Sequence, residues 1–503
     1  MDNLIGIDFG TTNSCAVFND AGKELVIEAS SGQNTMPSVV AANPDGTFIV
    51  GSNALKRLIR GRKEEARYVF TNIKREMGRK VPEGEALEEQ MDVDEDMNSV
   101  FMGPDNVLFT PQLLAGQVLQ AIRVAAERRL GKKVKGAVIT IPAGYTPDQV
   151  EATYEAAEIA GWKRNKITLL SEPEAAAIAY SFDKGSFRRV LVFDMGGGTL
   201  DVVLMDTGGD KLTPLSKDGS QHLGGIDFDR RIESFIVEEF LKDTQIDLRS
   251  KPISMLKMRP AVEDGKKELT DSESVKVFVE DGALDTEGAG AFIDVKYDLT
   301  RIQFEGMVQD LIDRAMDMVK SALADAGVAP EQVQDVVLVG GMTRVPAIRA
   351  ALSNYFSPKK IRDTISPDTA IARGAAIVAA EKDGRLPDRR SYDQISGHAY
   401  GIAGARDEFI LFIPKGAEAG TIETRVLSNR AKNQTELPIA VMRGQNKKAS
   451  TNELIGQHVA TILPQPKGSA SVELTFEVLP DGSLSVYGQD LDSEERFKVI
   501  GAD

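Results

Sequence analysis

Two glycine- and threonine-rich turns, each opened by an aspartate, constrain this chain more than any other feature. The first is Asp8-Phe9-Gly10-Thr11-Thr12-Asn13, the second Asp194-Met195-Gly196-Gly197-Gly198-Thr199-Leu200-Asp201. Each follows a short apolar run (Leu4–Ile7, Val190–Phe193) and leads into another (Cys15–Phe18, Val202–Met205). Both places therefore read as strand, turn, strand. Glycines let backbone N–H groups approach a polyphosphate closely, and threonine hydroxyls add donors. Each aspartate stands where it could hold a hydrated divalent cation. One such turn is an ordinary hairpin. Two in matching contexts predict a nucleotide clamped between two related halves. No Gly-x-x-x-x-Gly-Lys-Ser/Thr run is present, which argues against a P-loop ATPase.

Around these turns, residues 1–384 alternate strand-like and helix-like stretches, the pattern of an α/β domain. Gln112–Leu130, Asp148–Ala160, Ile232–Lys242 and Glu305–Ala326 carry apolar residues at three- and four-residue spacing and predict helices. Val134–Pro142 and Val333–Gly340 predict buried strands. The acidic stretch Glu83–Asp96 reads as a solvated excursion. Near Glu381 the composition turns polar with Gly and Pro, which predicts a linker over 385–397. Residues 398–503 divide into short strands between turn signals. Val472, Leu474, Phe476 and Val478 alternate with Glu473, Thr475 and Glu477 there, so an all-β sandwich is expected.

Composition excludes several classes. With 60 Lys and Arg against 76 Asp and Glu, the formal charge of −16 makes nucleic acid and an acidic membrane face poor partners. No apolar run approaches a membrane span, and Met1-Asp2-Asn3 opens into a strand without a signal segment. The single cysteine, Cys15, permits no intrachain disulfide and fits a reducing cytoplasm, where it reads as a buried, inert thiol. His222, His398 and His458 are scattered and lack cysteine partners, which argues against a zinc or haem site.

Taken with further segments, the turns resemble the nucleotide-binding half of the 70-kDa heat-shock (DnaK-type) chaperones. The supporting runs are Ile139–Ala143, Glu172–Ala177, His222–Gly225 with Asp227-Phe228-Asp229, Val337–Pro346, and Ser366-Pro367-Asp368 with Gly374-Ala375-Ala376. The resemblance implies an actin-like pair of lobes with a central cleft, followed by a β-sandwich that binds peptides. It also implies ATP and ADP with Mg²⁺ as cofactors, with K⁺ a further candidate, and client peptides, a J-domain co-chaperone and a nucleotide exchange factor as partners.

Site roles follow from the same resemblance. Asp8 and Asp194 would orient Mg²⁺ through its waters. Gly10, Thr11, Thr12 and Asn13 would face the β-phosphate, while Gly196, Gly197, Gly198 and Thr199 would cradle the γ-phosphate. Lys74 matches the lysine that neutralises the transferring phosphoryl group. Glu172 matches the carboxylate that positions the attacking water, with Asp201 beside it. Gly224 and Gly225 join the nucleotide contacts. The base would lie between Gly340, Gly341, Arg344 and Asp368 on one side and Glu263, Lys266, Lys267 and Thr270 on the other. Lys267 stands at an arginine position of the family, and an ammonium stacks on a purine less well than a guanidinium, so lower nucleotide affinity is expected.

The chain also departs from the family pattern. Arg389-Arg390-Ser391-Tyr392 replaces an apolar linker run, and two charged residues are expected to resist docking against the lobes. Val150 occupies the place of an arginine that relays the nucleotide state. The last strand, Arg496–Ile500, is followed only by Gly501-Ala502-Asp503, which predicts no helical lid and fast peptide exchange. In the sandwich, Leu437 and Ile439 fall at the apolar pocket, with Leu437 reading equally as core, and Ala405 and Arg430 fall where residues arch over the peptide. The sequence supports an ATP-dependent chaperone. An ATP-binding co-chaperone or exchange-factor module and an actin-like kinase or filament protein stand as alternatives.

Overall fold

The computed structural model describes residues 2–28, 32–60, 63–82, 85, 87, 90–181, 188–208, 211–250, 252–284, 292–362, 366–387, 391–392, 395–479 and 484–500. Both glycine-rich turns join antiparallel strands. Ile5–Asp8 pairs with Asn13–Asp20, placing Asp8 opposite Cys15. Arg188–Met195 pairs with Leu200–Gly208, placing Asp194 opposite Asp201. Each hairpin stands in a sheet of the same plan. In the first, the order is Ile167–Ser171, Ala137–Ile141, Ile5–Asp8, Asn13–Asp20, Lys23–Val26. In the second it is Ile361–Arg362, Asp335–Val339, Arg188–Met195, Leu200–Gly208, Lys211–Ser220. In both, parallel strands lie to one side of the hairpin and an antiparallel meander to the other. This repetition carries the two turns to equivalent places on two lobes.

Helices form where the spacing predicts them. Pro111–Leu130 begins at the Thr110 cap and ends at Gly131, whose φ of 64° suits glycine. Pro147–Ile159 starts with a Thr146/Gln149 capping box, and Arg301–Asp325 with a Thr300/Gln303 one. Gly225–Thr244 starts a full turn and more ahead of the predicted Ile232, because Asp227 accepts from the Gly224 N–H and so supports the helix start. Glu172–Ser181 and Ala370–Lys382 share one core with residues of both sheets, among them Val138, Val192 and Val203. A side chain at Gly374 would collide with the Ala175 carbonyl, and one at Gly6 with the Ala376 backbone. These glycines set the spacing between helix and helix and between helix and sheet.

The C-terminal portion is a sandwich of two four-stranded sheets. One runs Phe409–Ile413, Tyr400–Ala403, Glu436–Arg443, Glu453–Thr461; the other Ile422–Leu427, Val472–Val478, Leu484–Asp490, Arg496–Ile500. Val472, Leu474, Phe476 and Val478 point into the core, where Phe476 stacks on Phe412 at 4.4 Å. Among the described residues, no helix is long and apolar enough to cross a membrane.

Two residues of the expected linker lie against the second sheet. Ser391–Tyr392 adds to the edge of the second sheet as a parallel strand on Lys211–Leu212. Edge pairing uses backbone groups, so it does not require the apolar side chains whose absence predicted poor docking. Arg389, Arg390 and Asp393 lie outside the described residues, as do Glu83, Glu88 and Glu89 of the acidic stretch and residues 501–503. The sandwich also touches the lobes through side chains. Lys415 Nζ lies 2.5 Å from Asp325 and 3.8 Å from Asp218, and Arg443 donates to the Gly144 carbonyl at 3.2 Å.

Candidate functional site

Lys74 reaches the cleft through a local backbone device. After the strand Val69–Phe70, Asn72 takes a left-handed φ of 57°, which asparagine tolerates, and turns the chain into the short helix Ile73–Glu76. Glu172 is delivered independently, as the first residue of the helix that follows the strand Ile167–Ser171. The two meet at 2.5 Å between Nζ and Oε1, with side chains 5% and 8% exposed. The rings of Phe9 and Tyr145 lie 5.8 Å from the same ammonium. Burial opposes a charged lysine, but Glu172, Tyr145 and Asp8 together outweigh it and hold Lys74 above its ordinary range.

Three aspartates complete the charge cluster. Burial first, and then the charge of Glu172, push Asp8 up to about 7 against the pull of Lys74. The same two causes raise Asp201 to about 7, although its Oδ1 accepts the Ala143 N–H at 3.0 Å. Asp194 is raised well above its ordinary value by burial, Glu172 and Asp201. Oδ2 of Asp194 and Oδ2 of Asp201 are buried without a hydrogen-bond partner. Anionic charge thus exceeds cationic charge, and two acceptors stand ready. That fits a hydrated divalent cation bound with a nucleotide. Among the described residues, no three His, Cys, Asp or Glu side chains converge to ligate a metal directly.

The two turns close on one another. A Cβ at Gly197 would strike Thr12 Oγ1, and one at Gly198 would lie 2.6 Å from Thr11 Oγ1. Gly225 N–H donates to the Gly196 carbonyl at 3.0 Å and Ile226 N–H to that of Gly197 at 2.8 Å, tying the second turn to the start of the helix Gly225–Thr244. Gly340, at φ 79°, lets the chain pass Asp194, since a Cβ there would lie 2.8 Å from Asp194 Oδ1. At Gly196 and Gly341 a Cβ would meet nothing within 4 Å, so both face open space. Thr199 is partly exposed and Asn13 exposed.

On the base side, Arg344 and Asp368 form an ion pair at 2.8 Å, each about half exposed. Lys267 pairs with Glu263 at 2.7 Å along the helix Pro252–Glu268. Lys266 instead turns inward, to the Gly225 carbonyl at 3.1 Å and the Asp229 carboxylate at 2.9 Å. Thr270 follows that helix, its carbonyl accepting from Arg301 at 3.2 Å. In the sandwich, Leu437 and Ile439 are buried in the core, whereas Ala405 and Arg430 occupy exposed turns. Val150 is buried in the first lobe.

The structure adds residues that sequence reasoning missed. Arg75 donates to the Gly198 carbonyl at 2.6 Å and to Asp227 at 2.7 Å, bridging the lobes across the cleft. Its position beside Lys74, and the Asp227-Phe228-Asp229 run, were the available signals. The Ala143 N–H has no sequence signal, because any residue supplies one. Tyr145 has none either.

The family whose sequence profile matches this chain is described as Hsp70 protein, and the match covers residues 4–500. Among curated relatives, the chaperone protein DnaK of Stenotrophomonas maltophilia (strain R551-3) is 34% identical over 512 aligned positions, covering 99% of this chain and 78% of the relative. The chain belongs to the Hsp70 family. It shares the general character of that family: an ATP-binding chaperone of protein folding.

Proposed function

We propose that this Hsp70-family chain hydrolyses ATP slowly in the cleft between its lobes, and that the nucleotide state controls how its sandwich holds extended segments of client proteins. The carrying observation is the buried Lys74–Glu172 pair, set in a cluster of anionic side chains. Phosphoryl transfer needs in-line positioning and charge neutralisation more than covalent chemistry, and this cluster offers both.

In this reading Asp8 and Asp194 hold the waters of Mg²⁺, which when bound neutralises charge between the phosphates. Gly10, Thr11, Thr12 and Asn13 receive the β-phosphate, and Gly196–Thr199 the γ-phosphate, with Gly224 and Gly225 behind them. Lys74 offsets charge on the transferring group, Glu172 orients the attacking water, and Asp201 supports it. Gly340, Gly341, Arg344, Asp368, Glu263, Lys266, Lys267 and Thr270 bound the base. The inward turn of Lys266 makes it a support for Gly225 and leaves Lys267 and Arg344 as exposed cations beside the base.

On the peptide side, Ile422–Leu427 is an edge strand with Ile422 56% and Val426 55% exposed. An open edge with apolar side chains favours an added strand of client backbone. Leu437 and Ile439 lie beneath as core, and Ala405 and Arg430 are the exposed positions proposed at its rim. The linker strand, Lys415–Asp325 and Arg443–Gly144 supply physical routes between sandwich and lobes. A J-domain co-chaperone and an exchange factor are the partners such a cycle requires. The single buried Cys15 is consistent with work in a reducing cytoplasm. Steady-state ATP hydrolysis tests the site: Asp194→Asn and Lys74→Ala are expected to abolish it, and wild-type turnover by either would overturn the assignment.

A further inference from the structure

Behind the hydrolytic carboxylates lies a second buried ion pair. Lys217 Nζ lies 3.0 Å from Glu174 Oε1, with side chains 5% and 4% exposed. Lys217 belongs to the strand Lys211–Ser220 and Glu174 to the first turn of the helix Glu172–Ser181, two residues after Glu172.

Strand register fixes how this pair relates to the site. Asp201 lies opposite Gly219, and Val203 opposite Lys217. Residues two apart share a face, and so do cross-strand partners, so Lys217 is the diagonal neighbour of Asp201 on one face. Gly219, directly opposite Asp201, adds no side chain of its own at that corner. That face packs on the helix bearing Glu172 and Glu174, since Val203 and Met205 share a core with Ala175 and Ile178. At that diagonal spacing between buried groups, the charge of Lys217 is screened little. A buried ion pair is weak evidence of a stabilising role, because apolar residues of similar volume often serve as well. Its place beside the site gives it a different use.

We propose that Lys217, held by Glu174, is a positioning residue for ATP hydrolysis, its buried charge steadying the Asp201 side chain from the neighbouring strand. The inference rests on the hydrolytic reading of the site above. In this role Lys217 acts through Asp201.

The test is steady-state ATP hydrolysis with ADP affinity measured in parallel, for wild type, the double variant Lys217→Met/Glu174→Gln, Lys217→Arg and Lys74→Ala. The double variant removes both charges and strands neither. It is expected to lose about tenfold in kcat while KM and ADP affinity stay within about twofold, and Lys217→Arg is expected to restore at least about half of kcat. Wild-type kcat in the double variant, beside an inactive Lys74→Ala, overturns this inference alone. Wild-type kcat in Lys74→Ala overturns the site reading and the inference with it. Should the double variant fail to fold, Glu174→Gln keeps the Lys217 charge and an acceptor for it. It is then expected to hold kcat within about twofold, and a tenfold loss there overturns the proposal.

Discussion

Lys74 Nζ and Glu172 Oε1 stand 2.5 Å apart in the interior, brought together from a four-residue helix and the head of a ten-residue one. Removing Lys74 leaves Glu172 buried beside Asp8, Asp194 and Asp201 without the cation that pairs with it. Lys74→Ala is expected to destabilise the nucleotide-free protein by about 3 kcal/mol, and Glu172→Gln in the same chain to recover most of it. Chemical denaturation of both single variants and the double variant measures the coupling. Additive losses would show that the pair does not act as a unit.

The raised aspartates set a pH dependence with a definite sign. Asp8 and Asp201 sit up to about 7, against an ordinary 3.8 in the unfolded chain. The folded form therefore holds protons that the unfolded form has released. Stability from these groups is full below about pH 4 and is lost as pH rises through about 7. Thermal melts without nucleotide should fall between pH 5 and pH 8. Mg²⁺ with ADP, which favours the ionised carboxylates, should flatten that fall. A melt that rises over this range without nucleotide contradicts the assignment.

His398 gives the opposite sign at the domain junction. A Cβ at Gly144 of the first lobe would lie 3.5 Å from His398 Nε2. Burial, then Arg443, Lys415 and Lys217, push the imidazole down to about 3 from an ordinary 6.5. Stability from this group is full above about pH 6.5 and is lost as pH falls from there towards about 3, by up to about 1.4 kcal/mol per pH unit, and Lys217 is the one of its three cationic neighbours that the lobes supply. Small-angle scattering at pH 7.5 and pH 5.5 should show the sandwich leaving the lobes at the lower value. In His398→Ala that pH step should shrink, and an unchanged step would assign it to other groups.

Gly374 is the tightest helix contact between the sheets, because any side chain there runs into the Ala175 carbonyl. Gly374→Ala is expected to cost about 2 kcal/mol or more, since backbone rather than a flexible side chain must yield. The melting temperature measures it. Gly306→Ala, at a helical glycine where a Cβ meets nothing within 4 Å, serves as the unstrained reference and is expected to hold or raise the melting temperature.

The legible and illegible parts of the site differ for physical reasons. The paired turns were readable because phosphate chemistry demands glycine and threonine at fixed places, and the hairpins form where the apolar runs predicted them. Lys74 and Glu172 were named through resemblance, but their mutual pairing depends on two helix starts that no local pattern links. The Ala143 N–H was invisible because backbone groups carry no sequence identity. The linker shows a different limit. Side-chain charge at Arg389 and Arg390 argued against docking, whereas the pairing of Ser391–Tyr392 with Lys211–Leu212 uses main-chain groups. Leu437 and Ile439 show a third limit, since apolar residues on an inward face read the same whether they line a pocket or fill a core.

The central claim is that the cleft governs the sandwich. Its most direct measurement is the equilibrium affinity of one extended, apolar peptide, chosen by array screening, in saturating Mg²⁺–ATP and again in Mg²⁺–ADP. The two dissociation constants are expected to differ by at least about tenfold, a coupling of ordinary size between linked sites. Equal affinity in both nucleotides would contradict the account, however fast the protein hydrolyses ATP.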